Sequence, residues 1–194
     1  MNKNILLDEL PQYTKSGLRI RTDFRESIKF ELLMQDGKLS DEVKIMQALQ
    51  LFYYDPDKIT DYRKAIEEIL WFYKCGKETQ EIKNKEERET TQERLKQIYS
   101  YEFDDEYIFS AFLEQYGIDL NEIEYMHWWK FKALFNSLNE NTQFVKIMSY
   151  RNMNIAKIKD KEMKAHYKKM QELYKLPDMR TEEEKESDFA NELW

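Results

Sequence analysis

Three consecutive carboxylates, Asp104, Asp105 and Glu106, have the spacing that comes closest to a catalytic or metal-binding group. Neighbouring acids can share a proton or hold a cation when a fold buries them together. The same acids stand at the start of the predicted helix FDDEYIFSAFLEQY, where the positive end of the helix dipole favours negative charge. We therefore expect a helix cap here rather than a reactive site.

The histidines and the cysteine lack the companions that their chemistry needs. His127 could act as a general base, but no Ser or Cys nucleophile, HExxH pair, P-loop or GxGxxG motif accompanies it. A metal site at His166 would need ligands that the sequence does not identify. Cys75 is the only cysteine, which excludes an intramolecular disulfide and indicates a reducing compartment. We predict no catalytic residue, no metal and no cofactor.

Residues 151–176 form a basic segment, with eight Lys or Arg against three acids and two interleaved tyrosines. Such a segment could bind nucleic acid through phosphate contacts. The whole chain carries a formal net charge of -7, however, so we favour a basic helix that lies against acidic segments of the same chain or of a partner.

Trp128 and Trp129 are adjacent in the most aromatic stretch of the sequence, MHWWKFKALFNSL. Neighbours on a helix diverge by about 100°, so a helix that faces its core on one side only cannot bury both rings. Either this helix is surrounded by other elements, or one tryptophan marks an interface. The core is the favoured interpretation.

The elements that must position these residues are predicted to be helical. Only 4 Gly and 3 Pro punctuate 194 residues, whereas an all-β fold needs many turn residues. Apolar residues recur at three- and four-residue steps, and Gly76 is predicted to take the C′ position of the third helix. A central helix is predicted over 122–138 and a last one from about 158 to 176. The predicted helix starts are Thr22 or Asp23, Ser40, Asp61, Asp104 or Asp105, Asn121, Asn141 or Thr142 and about Ile158.

The fold class is therefore all-α, with six to seven helices in two halves that a charged flexible segment separates. An N-terminal unit spans 1–76, and the run Leu18 to Arg21 within it could be extended. Residues 77–97 contain only Ile82 and Leu95 as apolar residues. They are predicted to be a charged linker or loop, with a solvated helix as the less favoured alternative. A C-terminal unit spans 98–177, and an acidic tail predicted to be disordered spans 178–194. Whether the two units pack together stays open.

The composition also bounds the location. Charged residues make up 36% of the chain with both signs mixed, and no stretch approaches the 18 apolar residues of a membrane-spanning helix. The N-terminal sequence carries acids inside too short an apolar run for a secretory signal. These features predict a soluble cytoplasmic protein with no membrane contact.

Four stretches resemble a known family: RTDFRESIKFE, FDDEYIFSAFLEQYGIDL, MHWWKFKALFNSL and KIMSYRNMN. The chain from about Arg21 to Leu176 is similar to the bacteriophage tail-assembly-chaperone-like proteins. Siphophages and prophages of Gram-positive bacteria encode these between the major tail protein and the tape measure protein. The order YGIDL followed by HWWKFKAL is the most specific part of the likeness.

The resemblance implies a non-enzymatic helper in the bacterial host cytoplasm that coats the phage tape measure protein, or another tail protein, during tail morphogenesis. A small helical protein with aromatic grooves and a charged exterior could shield such a long apolar chain reversibly. The candidate partner-binding residues are Trp128, Trp129, Phe131, Arg151, Lys164 and Lys168.

Three alternatives remain at the level of sequence. A structural tail or tail-completion component would need a persistent oligomeric interface, and a homo-oligomer is compatible with the sequence. A nucleic-acid-binding accessory protein would use the basic segment 151–176, with affinity that falls steeply with salt. An enzyme is the least favoured, because it would need a deep pocket of convergent polar groups around His127.

Overall fold

A computed structural model describes residues 4–77 and 98–177, and seven α-helices lie within them. In chain order they are α1 (Phe24–Gln35), α2 (Asp41–Phe52), α3 (Tyr62–Tyr73), α4 (Asp105–Tyr116), α5 (Trp128–Asn136), α6 (Gln143–Asn152) and α7 (Lys161–Leu173). Short 3-10 turns at Pro56–Lys58 and Ile155–Lys157 precede α3 and α7. The all-α prediction is confirmed. The predictions for a linker and an acidic tail fall, apart from Lys77, outside the described residues.

Side-chain caps begin most of the helices, because the first backbone N–H groups of a helix have no partner within it. A side-chain oxygen of the preceding residue accepts one of these N–H groups in five helices: Asp23 for α1, Ser40 for α2, Asp61 for α3, Thr142 for α6 and Asp160 for α7. The predicted starts of α1, α2, α3 and α6 are confirmed.

The start of α5 differs from the prediction. The helix expected over 122–138 begins only at Trp128, and His127 rather than Asn121 is its N-cap. The Asp119 carboxylate instead accepts the backbone N–H groups of Asn121 and Glu122 and holds a turn there, at 2.8 and 3.1 Å. The apolar pattern that predicted the helix extends back to residue 122, but the hydrogen bonds of Asp119 make a turn there.

Backbone pairing with α1 also keeps this segment out of a helix. Phe24 N donates to the Met126 carbonyl at 2.9 Å, and Trp128 N donates to the Thr22 carbonyl at 2.8 Å. Arg25 then donates to the carbonyls of Leu120 and Ile123, both at 2.8 Å. These carbonyls and N–H groups are the ones that a longer helix would have used, so tertiary contacts override the local helical pattern.

The C-terminus of α3 corrects a second prediction. Cys75, at φ 57°, takes the left-handed C′ position that the sequence assigned to Gly76, and Gly76 follows with φ 73°. Cys75 N bonds to the Phe72 carbonyl and Gly76 N to the Trp71 carbonyl, which is the hydrogen-bond pattern of a Schellman motif. Gly76 is needed for space as well as conformation, because a Cβ there would lie 2.8 Å from Cη2 of Trp129.

The last helix is shorter than the predicted 158–176. Asp160 caps α7 so that it begins at Lys161, and the Tyr174 carbonyl beyond its end accepts a hydrogen bond from Arg151 Nε at 2.6 Å. The N-terminal run Leu18 to Arg21 is extended as predicted. It pairs through isolated bridges, Arg19 with Tyr13 and Ile20 with Tyr53, rather than through a strand.

Residues from both sides of the undescribed segment pack into one hydrophobic core. Its middle is Phe131 of α5, whose ring is stacked with Phe24 of α1 at 4.7 Å and with Phe112 of α4 at 5.0 Å between centroids. Phe135, one turn further along α5, contacts Phe144 of α6 at 5.3 Å. The question left open by the sequence is answered for the described residues: the two predicted units share this core.

None of the helices in the described ranges has both the length and the apolar character needed to cross a bilayer.

Gly76→Ala should destabilise the fold more than Gly117→Ala. Both glycines have positive φ, which costs an alanine about 1–2 kcal/mol, but only at Gly76 does the new methyl group also overpack the core, for about 1–3 kcal/mol more. Urea unfolding of the two variants measures the difference. Gly117 has no atom within 4 Å of the added Cβ, so equal losses for the two variants would contradict the close approach of Trp129.

Candidate functional site

Both tryptophans proposed as partner-binding residues are buried, and they hold α5 against the end of α3. The Trp128 indole N–H donates to the Tyr73 carbonyl and the Trp129 indole N–H to the Phe72 carbonyl, each at 2.8 Å. These carbonyls belong to the last turn of α3, where the i→i+4 donors of the helix run out. The Phe72 carbonyl accepts the Trp129 indole N–H in addition to the Cys75 N–H of the Schellman motif.

The rings of Trp128 and Trp129 are both buried, so the favoured core interpretation holds for each of them. The helix is not surrounded, however: Lys130, Ala133 and Asn136 leave one side of α5 exposed, so the expectation that only a surrounded helix could bury both rings is wrong.

Phe131 is fully buried, with its ring between Trp128 and Phe135 on the same helix as well as against α1 and α4. A ring with aromatic neighbours on several sides contributes packing energy to the core and presents no surface to a second molecule. The partner-binding role of the three aromatic candidates stays a prediction, and the structure assigns each of them a packing role in the chain.

Arg151 forms a buried ion pair with Asp104, which is the least expected contact in the molecule. Its guanidinium donates to both carboxylate oxygens, at 2.6 and 2.9 Å, and the Asp104 carboxylate also accepts the backbone N–H of Ser100 at 2.9 Å. Asp104 occupies the N-cap position of α4, as predicted, but its side chain makes no capping bond. The carboxylate is committed to charge pairing instead.

The remaining donors of Arg151 join three segments that are distant in sequence. Nε reaches the Tyr174 carbonyl after α7, and Nη1 reaches the Ile98 carbonyl at 3.1 Å. The planar guanidinium thus ties the end of α6 to the start of α4 and to the chain beyond α7. Sequence reasoning missed this pair, because the partners lie 47 positions apart and no local pattern marks either one.

The other two acids of the carboxylate run do not converge with Asp104. Asp105 and Glu106 are exposed and lie on the rim of an open cavity of about 630 Å³ between α1 and α4. Its walls include Phe24, Ile28 and Phe109. No group of three or more His, Cys, Asp or Glu side chains in the described part of the chain is arranged to hold a metal ion.

His127 connects the N-terminal segment at Pro11 to the first turn of α5 through its two ring nitrogens. Its Nδ1 accepts the Trp129 N–H at 3.1 Å as the N-cap of α5, so Nε2 carries the proton and donates to the Pro11 carbonyl at 3.1 Å. Burial, assisted by the charge of Lys130, lowers the pKa of His127 from its usual value of 6.5 against the opposing effect of the Pro11 bond. Both ring nitrogens are engaged, and the imidazole is held neutral.

Cys75 and Tyr73 are also held in their protonated forms at neutral pH. Burial raises the pKa of the Cys75 thiol to about 11, despite the opposing charges of Lys132 and Lys77. Burial, and then a hydrogen bond to the Glu31 carboxylate, raise the pKa of Tyr73 well above its usual range. Neither side chain has the ionised form that a nucleophile requires.

The exposed candidates are on α7. Lys164 and Lys168 are exposed. His166, which stands between them in the sequence, is also exposed, and its ring contacts those of Tyr150 and Tyr167. The structure therefore divides the predicted site: the aromatic residues and Arg151 are buried, whereas the two lysines face solvent.

A surface that sequence reasoning did not single out lies where the end of α1 meets the start of α2. Lys44 Nζ donates to the Met34 carbonyl at 3.0 Å, which brings these ends together. Four apolar side chains there are exposed, and we call them the α1–α2 corner: Met34, Val43, Ile45 and Met46. Met46 is 62% exposed although it lies three residues after Val43 and three before Leu49, the spacing of an apolar helix face. That exposure could have been suspected from the surplus of apolar residues on this helix.

The geometry defines a class of protein, a small all-α protein. Its buried polar candidates Asp104, His127 and Arg151 are bonded within the chain, and its exterior combines charged helix faces with exposed apolar side chains. The chain belongs to the bacteriophage Gp15 protein family, whose family model matches residues 6–176. Membership of this family indicates a phage structural or morphogenesis protein. No curated protein and no solved structure matches the chain.

Asp104→Asn should lower the free energy of unfolding by about 3–5 kcal/mol, because it leaves the Arg151 charge buried without its counter-ion. Chemical denaturation measures the loss. Asp55→Asn is the control, since it breaks the exposed Lys58–Asp55 pair and should cost less than about 1 kcal/mol. A similar small loss for both variants would show that the Arg151–Asp104 pair does not stabilise the core.

His127 should make the fold less stable as pH falls below about 6.5. Its pKa is lower in the folded than in the unfolded chain, so the unfolded state binds the proton first and the free energy of unfolding decreases with falling pH until the folded pKa is reached. His127→Asn keeps an acceptor for the Trp129 N–H and should show a weaker pH dependence between pH 7.5 and 5. His166→Asn retains His127 and should behave as the wild type. An unchanged pH dependence in His127→Asn would refute this assignment.

Proposed function

We propose that this chain is a non-enzymatic tail-assembly chaperone that binds the phage tape measure protein in the host cytoplasm during tail morphogenesis. The family membership supports a role in phage structure or morphogenesis, and the resemblance of four sequence stretches to tail-assembly-chaperone-like proteins supports the finer assignment. The proposed partner is a long helical chain with apolar stretches that are exposed before the tail tube encloses it.

The observation that carries the proposal is the exposed α1–α2 corner. Two of its four side chains are methionines, whose unbranched and polarisable side chains adapt to partners of varied shape. A chaperone that covers successive apolar stretches of one chain needs such an adaptable contact. The buried tryptophans support this surface from within, since they fix α5 against α3 and α5 in turn packs on α1.

The charged exterior is the second requirement of a chaperone. The chain is 36% charged with a net charge of -7, so a complex that covers an apolar partner with this protein gains a solvated surface. Lys164 and Lys168 of α7 are the charged residues that we propose to contact acidic parts of the partner.

Met46→Glu should reduce co-purification of the tape measure protein roughly tenfold or more, because binding would bury an unpaired carboxylate. The measurement is co-expression of each tagged variant with the tape measure protein from the same phage, followed by size exclusion and quantification of soluble tape measure protein. Leu113→Glu is the matched control, since it adds the same charge at an exposed apolar position on α4. If both variants solubilise the tape measure protein as well as the wild type does, the α1–α2 corner is not the contact surface. If the wild type itself does not solubilise it, the chaperone proposal fails.

Mass spectrometry of purified virions separates the chaperone from a structural tail component. A chaperone leaves the assembly, so the protein should be absent or far below the level of the major tail protein. A fixed stoichiometry in finished virions would contradict the proposal and favour a tail component, for which the same apolar corner would be a permanent interface.

A further inference from the structure

One side of α7 carries a row of lysines that no described acid neutralises. Lys161, Lys164 and Lys168 follow one another at steps of three and four residues, which places them on the same side of a helix. We call these three residues the lysine face. Each is exposed, and none forms an ion pair with an acid in the described residues. Like charges at these spacings repel one another, so the lysine face gains from an anionic cover.

The chain itself contains a segment of matching charge. Residues 178–194 carry seven acids against two basic residues, a net charge of -5, whereas residues 151–176 carry a net charge of +5. Five of these acids fall within 182–188. The acidic segment begins only four residues beyond Tyr174, the C-cap of α7, so the two charge groups are neighbours along the chain.

The structure fixes the point from which the acidic segment departs. The Tyr174 carbonyl is bonded to Arg151, and its ring is stacked on Tyr150 with centroids 6.0 Å apart and planes inclined by 13°. Residues 182–188 follow Asp178 by four to ten positions, which allows a reach of roughly 13–35 Å in an extended chain. The 13 residues of α7 span only about 20 Å, so these acids can reach every lysine of the lysine face.

Two physical effects favour binding within one chain. A short tether gives the acidic segment an effective concentration on the order of millimolar at the lysine face, so weak individual contacts suffice. A chain that turns back from Tyr174 also brings its acids toward the N-terminal half of α7, the end where the helix dipole attracts negative charge. A nucleic acid would meet the same lysines, but it would also meet the repulsion of a chain with net charge -7.

We infer that residues 178–194 bind the lysine face of α7 in the free protein and cover it. The inference concerns the chain without any partner. It does not depend on the proposed function, although Lys164 and Lys168 take part in both.

The test is paramagnetic relaxation in the full-length chain. A nitroxide label is attached at Ser187→Cys in a Cys75→Ser background, and broadening of backbone amide signals is recorded at 0.15 M and 1 M salt. We expect broadening concentrated at residues 161–168 at the lower salt, and a loss of at least half of it at 1 M salt, where the Debye length falls from about 8 Å to about 3 Å. Circular dichroism of each variant checks that the helices are retained.

The lysine-face variant, Lys161→Gln with Lys164→Gln and Lys168→Gln, should lose the broadening. The matched control is Lys38→Gln with Lys58→Gln and Lys64→Gln, which removes the same charge from exposed positions around α2 and α3 and should keep it. Broadening that is absent, that persists in the lysine-face variant or that centres on another element overturns the inference. A mixture of labelled unenriched and unlabelled ¹⁵N-enriched protein that shows the same broadening also overturns it, because a second copy would then be the occupant. Since no tape measure protein is present, none of these outcomes depends on the chaperone proposal.

Discussion

The structure depends on the donation of two adjacent indole N–H groups to two successive carbonyls at the end of α3. Trp128 gives the Tyr73 carbonyl a donor, and Trp129 gives the Phe72 carbonyl a second donor beside the Cys75 N–H. The same rings fill the space beside Tyr73 and Gly76. A polar requirement and a packing requirement are thus met by one pair of residues. Since α5 carries Phe131 on the same helix, the orientation fixed at α3 also determines where the aromatic core meets α1 and α4.

Two further polar links connect parts of the chain that local sequence would have left independent. The first turn of α1 pairs with the backbone just before α5, and Arg151 joins the end of α6 to Asp104 and to the chain beyond α7. Each link crosses a large sequence separation, so it forms only when the core has brought its segments together. A buried ion pair contributes little net stability compared with an apolar replacement, but it strongly disfavours arrangements in which one charge is left alone. We attribute the position of α6 and α7 relative to α4 to the Arg151–Asp104 ion pair.

Much of this fold follows from local pattern, and the exceptions have a common cause. Asp23, Ser40, Asp61 and Thr142 were predicted as helix starts because a cap is a contact within one turn. The start of α5 was predicted wrongly, because the Thr22 and Met126 backbone groups that end the helical pattern belong to a contact between distant segments. Gly76 was placed one residue too early in the cap for a similar reason: the space beside Trp129 decides where the glycine must be. Of the candidate site, the exposure of Lys164 and Lys168 follows from the charge pattern, whereas the Arg151–Asp104 pair has no local signal.

The separation between buried and exposed candidates governs how any binding defect must be interpreted. A substitution at Trp128 or Phe131 removes core contacts, so a chain with that change loses partner binding through its stability whether or not the residue ever touches a partner. The same reasoning applies to Arg151, whose loss leaves Asp104 buried and unpaired. Only side chains that already face solvent, such as Met46 and Lys164, allow a change in binding to be separated from a change in folding. The residues that attract most attention in the sequence are therefore the ones least able to identify the interface, and the surface must be mapped from the residues that the core does not need.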